Sequence, residues 1–304
     1  MAVPAPAAMI YRGRFAPSPT GPLHFGSLVA AMASYADARA VHGQWLIRIE
    51  DVDAPRARPS AAGQILGALE RFGFEWDGPV WRQSQRTEWY EAALARLRVQ
   101  GIVYACVCTR RELAADPIGR IGERVYQGTC RNGLTGERAS RRRAAMRVRV
   151  PPASVGFTDR LYGRQQQLLA EDVGDFVVRR SDEFFAYQLA VVADDAAQQI
   201  TDIVRGADLL ASTPRQIFLQ RALGLPTPRY LHVPVASDAH GRKLSKQTGA
   251  SALPASPLSA LRTAWRFLDQ SSPRNPPSSV REFWPWAIAN WQPQRLQPVM
   301  MRRV

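Results

Sequence analysis

Apolar positions along the chain recur with two periods. From Ser27, the residues Leu28, Ala31, Met32 and Tyr35 fall at i, i+3, i+4 and i+7, the stripe of an amphipathic helix, with Gly43 as its stop. Comparable patterns predict helices over residues 60–72, 87–100 and 212–223, and one near Tyr187. Ser212, Thr213 and Pro214 read as an N-cap followed by an early-turn proline, and Gly224 as a C-cap. Short apolar runs predict strands at 11–15, 45–50, 175–179 and 200–204. Strands alternating with helices imply a parallel sheet with right-handed crossovers.

Residues 105–165 break that rhythm, carrying cysteines and arginines without a clear period. The expected class is therefore α/β: a split Rossmann-type nucleotide-binding parallel sheet. Its first half would occupy residues 1–104, an inserted Arg-rich module 105–165, and its second half 166–250. Ligands of such sheets gather outside the carboxyl ends of the strands, at the switch point. Residues 251–304 are expected as a short helical tail. Ser256 and Pro257 open a helix through Phe267, a Pro/Ser linker follows, and then a segment with Trp284, Trp286 and Trp291. No internal repeat is present.

At 304 residues, with 46% hydrophobic content and a mean hydropathy of -0.25, the chain can bury a large core. Its longest nearly uncharged run, 15–36, is broken by prolines and glycines, so no membrane span is expected. Residues 1–10 are apolar but lack a charged leading region, so a cytoplasmic location is expected. The net charge of +14 points to a polyanionic partner. Between Cys106 and Arg149, eleven arginines face four acids, which places half of that surplus in one segment. Such clustering favours a nucleic-acid-facing module over an ordinary solvated surface.

Of the 40 Lys and Arg residues only two are lysines, Lys243 and Lys246, in one pentapeptide between Gly241 and Gly249. A chain that otherwise uses arginine keeps lysine where a compact charge on a flexible stem is required, as in a loop following a phosphate. Near the N-terminus, Pro17, Pro19, Gly21 and Pro22 prohibit regular structure and deliver His24, Gly26 and Ser27 to a helix start. Free N–H groups and the positive end of the dipole make that an anion site. Gly26 lets a ligand approach the backbone. A nicotinamide-binding sheet is disfavoured, because no Gly-x-Gly-x-x-Gly follows the first strand.

The run from Pro17 to Ser27, followed roughly 220 residues later by Lys243-Leu-Ser-Lys246, resembles the two signatures of class I aminoacyl-tRNA synthetases. The stretch 14–21 resembles the glutamyl/glutaminyl branch, and the likeness continues through residues 47–51, 187–190 and 202–208. Ser27 departs from the usual His of the first signature, and Leu244 and Gln247 from the usual Met and Ser of the second. The resemblance implies activation of L-glutamate by ATP with Mg2+. It puts His24, Lys243 and Lys246 in catalysis, and His24, Gly26, Ser27 and Lys246 on ATP. Glutamate would meet Arg14, Phe15, Ala16, Pro17, Ser18, Glu50, Tyr187 and Arg205. The chemistry agrees, since Arg14 or Arg205 can fork onto a carboxylate and Glu50 can take an α-ammonium.

Full-length members carry a large anticodon-binding region, which the residues after 250 are too few to make. The chain thus resembles the truncated paralogues that attach glutamate to the queuosine base of tRNA(Asp). That implies a monomeric ligase whose partners are queuosine-bearing tRNA(Asp), L-glutamate and ATP. The rival expectations are a truncated enzyme charging a tRNA 3′ end, and an idle RNA-binding paralogue. Retention of His24, Lys243 and Lys246 counts against the idle version.

The three cysteines, Cys106, Cys108 and Cys130, fall within one 25-residue stretch. Unrelated buried thiols are ordinary in a reducing compartment. A stretch with little apolar content, however, gains folding free energy from a metal staple. None of the four histidines lies in the segment to complete such a site. The family resemblance places one structural Zn2+ on Cys106, Cys108, Tyr126 and Cys130, with water or Asp116 as alternatives to the phenolate.

Overall fold

The computed structural model describes residues 10–52, 58, 60–140, 143–244 and 251–304. The chain begins with β1 (Arg12–Phe15), α1 (Phe25–Arg39), β2 (Gln44–Ile49), α2 (Ala61–Arg71), β3 (Trp81–Arg82) and α3 (Thr87–Val99). The middle holds β4 (Val103–Cys106), α4 (Arg110–Leu113), β5 (Ala145–Val148), β6 (Ser154–Asp159), β7 (Gly163–Leu168), α5 (Leu169–Asp172) and β8 (Val177–Arg179). There follow α6 (Tyr187–Ala197), β9 (Asp202–Gly206), α7 (Thr213–Ala222), β10 (Arg229–Val233) and β11 (Val235–Ser237). The chain closes with α8 (Pro257–Phe267), α9 (Val280–Ala289) and β12 (Met301–Arg303).

β2 pairs in parallel with β1 and β3, and β10 in parallel with β9 and β6. The two halves meet where the Thr201 N–H donates to the Arg12 carbonyl at 3.0 Å. This is the expected split parallel sheet. Its pleat sends alternate side chains to opposite faces. Trp45, Ile47 and Ile49, with Val204, Leu231 and Val233, enter a core shared with α1 and α2. Leu46, Ile203 and Tyr230 enter a second core with α3, α6 and α7. The same alternation sends Arg14, Arg48, Arg205 and His232 toward α6 and α7, where their partners lie. These four side chains thereby share one face of the sheet.

The expected helices appear within one or two residues of their predicted ends. Ser212 does not cap α7, however; its hydroxyl accepts from the Arg215 guanidinium at 3.1 Å. The stretch 105–165 is more ordered than its sequence suggests. β4, β5 and β8 form an antiparallel sheet, and β6–β7 is a hairpin. That hairpin straddles residue 165, and β6 lies beside β10. It escaped notice because β7 reads Gly-Arg-Gln-Gln-Gln-Leu, polar on both faces, and so shows no period-two apolar signal.

The tail is not an appendage. Leu261, Trp265, Phe283, Trp284 and Trp291 are buried in the same core as α1 and β2. The Trp284 indole donates to the Phe72 carbonyl at 2.9 Å, and β12 pairs with β11. A buried aromatic ring covers roughly 150–250 Å², about 4–6 kcal/mol of apolar transfer before entropy is subtracted. Asp37 on α1 ties three regions together. It accepts from Tyr11 at 2.5 Å, from Arg160 at 2.6 and 2.9 Å, and from the Trp291 indole at 3.0 Å. Burial opposes its ionisation, but the Arg160 guanidinium holds its carboxyl below the ordinary range.

Candidate active site

A cavity of about 510 Å³ opens at the carboxyl ends of β1, β2, β9 and β10. Its wall brings together Arg14, Phe15, Ala16, Pro17, Ser18, His24, Gly26, Ser27, Glu50, Tyr187, Arg205 and Lys243. Lys246 lies outside the described residues. The loop is pinned to the end of β2, because the Glu50 N–H donates to the Pro17 carbonyl at 3.0 Å. α1 starts two residues earlier than the pattern from Ser27 suggested, and His24 is its N-cap. The His24 Nδ1 accepts the Ser27 N–H at 3.3 Å, so one of the helix's donors is already engaged. Gly26 permits this fold-back: a Cβ there would stand 3.2 Å from the His24 ring and 3.5 Å from the Leu244 carbonyl.

Beneath the cavity the charges are paired. Asp195 on α6 receives Arg14 Nε at 3.1 Å and Arg48 at 2.8 Å. Asp194 receives Arg86 at 2.5 Å, Tyr90 at 2.7 Å and Gln83 at 3.0 Å. Arg48, fully buried, also reaches Glu50 at 3.3 Å and donates to Gln198 at 2.7 Å. Breaking such a pair from one side typically costs about 3–5 kcal/mol, because the other charge is left buried. Burial works against ionisation of Asp195, yet Arg14 and Arg48 hold its carboxyl below the usual range. Glu50 lies nearer the cavity. Burial pushes its carboxyl up to about 6, against the pull of Arg48 and Arg14. Burial, and then the Glu50 charge, push the Tyr187 hydroxyl up to about 12, so it remains a donor.

Arg205 differs from its neighbours. Its Nε donates to His232 Nε2 at 3.1 Å and its second terminal nitrogen to Thr213 Oγ1 at 2.8 Å. Its guanidinium also lies over the Tyr230 ring, 5.5 Å from the centroid. The remaining nitrogen, NH1, is buried without a hydrogen-bond partner among the described residues. Every partner of Arg205 found there is uncharged. A buried guanidinium so placed is deficient in one acceptor and one negative charge.

At the opposite side, Lys243 Nζ lies 2.5 Å from Asp208 Oδ2. Gly206 makes room for that carboxylate, since a Cβ there would sit 2.5 Å from Asp208 Oδ1. Asp208, Asp194, Asp195, Arg48 and His232 were not singled out from the sequence. Adjacent acids inside the apolar run of α6 were a usable signal, since such a pair is buried only with partners. His232, in an apolar strand, gave none.

The cysteines also converge. The Sγ atoms of Cys106, Cys108 and Cys130 all lie within 4.8 Å of one another, and no carboxylate or histidine joins them among the described residues. The Tyr126 hydroxyl is 3.4 Å from Cys106 Sγ and 3.6 Å from Cys108 Sγ, and Cys108 Sγ is 3.6 Å from Cys130 Sγ. Donors about 2.3 Å from a tetrahedral zinc stand about 3.8 Å apart, so these separations suit one cation. The Arg147 guanidinium lies over the Tyr126 ring, 3.9 Å from its centroid. Burial pushes the Cys108 thiol up to about 11, a cost that a bound divalent cation offsets. The surrounding arginines are less free than their number suggests. Arg120 pairs with Glu171 and Asp172, and Arg131 with Asp175, all acids beyond the segment in which the charge was counted. Arg141 and Arg142 lie outside the described residues.

No helix among the described residues is long and apolar enough to cross a membrane. The family model for class I tRNA synthetases (E and Q), catalytic domain, matches residues 11–257. Curated relatives carry the name glutamyl-Q tRNA(Asp) synthetase. One from Aromatoleum aromaticum is 57% identical, over 96% of this chain and 93% of the relative. Another from Thiobacillus denitrificans is 59% identical, over 82% of this chain and 81% of the relative. A solved glutamate tRNA ligase from Elizabethkingia meningosepticum, in complex with its amino acid, shares the fold. Its TM-score is 0.78 at 24% identity, covering 96% of this chain and 66% of that ligase. With the described residues of the two signatures lining one cavity and more than half of the aligned residues identical in such relatives, the chain belongs to the class I glutamyl/glutaminyl tRNA synthetase family.

Proposed function

We propose that this chain activates L-glutamate with ATP and transfers it to the queuosine base of tRNA(Asp). The observation that carries the first half is Arg205, a buried cation on the cavity wall whose partners among the described residues are all uncharged. A substrate carboxylate supplies both the acceptor and the charge it lacks. Glu50 takes the α-ammonium, and Tyr187 supplies a neutral donor. An α-carboxylate oxygen then attacks the α-phosphorus of ATP, and the bond to the departing pyrophosphate breaks. Little covalent help is needed from the protein. Positioning, and cations at the developing charge, do most of the work.

His24, the start of α1 and the lysine loop are assigned to that charge. The Lys243–Asp208 pair is about two-fifths exposed on the lysine side. Pairs so exposed are worth only about 0–1 kcal/mol, so a polyphosphate competes for Lys243 at little cost. Lys246 is assigned to the same phosphates through its signature alone. In the second step a hydroxyl of the queuosine cyclopentene ring attacks the acyl carbon, loses its proton and displaces AMP. The names borne by the relatives support that acceptor. Zn2+ is assigned to Cys106, Cys108, Cys130 and the Tyr126 phenolate, where it would staple the insertion rather than act on substrate.

Three outcomes test this reading. The first concerns Glu50, whose carboxyl ionises at about 6. Only its ionised form attracts an ammonium, so glutamate binding weakens as pH falls through that value. Glutamate's own side-chain carboxyl ionises lower, near 4.3. Titration calorimetry should give a constant Kd above pH 7 and a Kd about tenfold weaker at pH 5. Glu50→Gln should bind weakly with no such slope. A slope that survives in Glu50→Gln would remove Glu50 from the role.

The second outcome is metal content. Elemental analysis after dialysis should find one zinc per chain, lost in Cys130→Ser and weakened in Tyr126→Phe. Full retention in Tyr126→Phe would keep the metal and discard the phenolate. The third is the acceptor. After charging with labelled glutamate, nuclease digestion and mass analysis should recover the label on the queuosine nucleoside. Label on a terminal adenosine would establish 3′-end charging instead, and no activation of glutamate at all would establish an idle paralogue.

A further inference from the structure

His232 sits in β10 with none of its surface exposed, and both ring nitrogens are engaged. Nδ1 is 2.7 Å from Asp159 Oδ2, while Nε2 is 3.1 Å from Arg205 Nε. Counting protons fixes the tautomer. The Arg205 Nε–H can only donate, so Nε2 accepts. Asp159 already accepts the backbone N–H groups of Leu161, Tyr162 and His232, which marks it as an ionised acceptor, so Nδ1 donates. Thr213 Oγ1 accepts a hydrogen bond from Arg205 and donates its own to the Leu209 carbonyl at 3.1 Å. The imidazole is therefore neutral, with its proton on Nδ1. Burial agrees with this, holding the ring's pKa down to about 4 in spite of Asp159.

The consequence falls on Arg205. Two of its nitrogens are clamped by uncharged acceptors, so its direction is fixed while its charge stays unpaired. Arg14 presents the opposite case, since its guanidinium is forked onto Asp195 at 3.1 and 3.4 Å and is already neutralised. A carboxylate at position 232 would orient Arg205 equally well but cancel its charge. An apolar side chain would preserve the charge but release the head group.

We propose that His232, oriented by Asp159, is a positioning and specificity residue: it gives Arg205 a neutral acceptor that holds its guanidinium on the cavity wall at full charge, favouring an anionic amino acid over its uncharged amide. The inference rests on Arg205 being the partner of a glutamate carboxylate. Asp159 lies on the β6 hairpin, which also links glutamate selection to a segment that the sequence pattern did not connect with the site.

The test is ATP–pyrophosphate exchange driven by glutamate or by glutamine, in wild type, His232→Leu, His232→Gln and Asp159→Asn. His232→Leu should raise the KM for glutamate and lower the preference for glutamate over glutamine, each by about tenfold or more, with the KM for ATP unchanged. His232→Gln, whose amide oxygen is again a neutral acceptor, should recover most of the loss. Asp159→Asn no longer fixes the tautomer and should fall between them. Wild-type values for glutamate in His232→Leu would overturn the proposal. So would a parallel rise in both KM values with a lowered Tm in every variant, which would mark a purely structural histidine. Wild-type protein without glutamate-dependent exchange would overturn the reading of the cavity as well, whereas normal wild-type exchange with unaffected variants would overturn only the role of His232.

Discussion

Charge buried against a parallel sheet must be paired, and that requirement organises this molecule. Arg14, Arg48 and Arg86 are matched by Asp194, Asp195 and Glu50 between the sheet and α6. A network of this kind adds little net stability over a well-packed apolar core, but it is costly to disturb from one side. It therefore acts as a rigid floor for the cavity. Against that floor Arg205 stands out, because every contact it makes among the described residues is with a neutral group. Among the described residues of the cavity wall, Arg14 and Lys243 have carboxylate partners and Arg205 has none.

The same division of labour separates the two ends of the cavity. At the strand end of the cavity Arg14 and Arg205 are buried and held by side-chain partners, Arg14 by Asp195 and Arg205 by His232 and Thr213. At the phosphate end Lys243 is about two-fifths exposed, and its ion pair with Asp208 is weak enough to exchange. His24 mediates between them, capping α1 and forming a bridge with Ala252 on the far side of the lysine loop. The thiol cluster lies apart, in a small core of its own with Tyr104, Val107 and Tyr126.

Much of this was legible in the sequence. The alternating strands and helices, the proline-rich loop ahead of α1 and the two isolated lysines pointed to one phosphate site, and the structure gathers the described candidates around it. What stayed hidden was hidden for physical reasons. Asp159 occupies an inward position of β6 and His232 an inward position of β10, where a periodicity argument expects apolar residues. The two residues, partners of each other, are 73 apart along the chain, and a single sequence carries no sign of that contact. In the tail the sequence shows the helix ending at Phe267, but the prolines at 273, 276 and 277 interrupt the pattern that would join the tryptophan cluster to the core. In the structure those tryptophans complete the core beneath α1. The insertion's arginines were counted without their acids, which enter from α5 and from the turn before β8.

The central claim is that Arg205 is left unpaired by the fold so that glutamate can pair with it. Replacing it with methionine separates that function from any structural role. Glutamate titration by calorimetry and thermal unfolding, run on the same samples of wild type and Arg205→Met, give the answer together. The account predicts that Arg205→Met loses measurable glutamate binding while its ligand-free Tm equals or exceeds that of wild type, because a buried uncompensated charge has been removed. Retained glutamate affinity together with a Tm lowered by several degrees would contradict it, and would make Arg205 a structural residue.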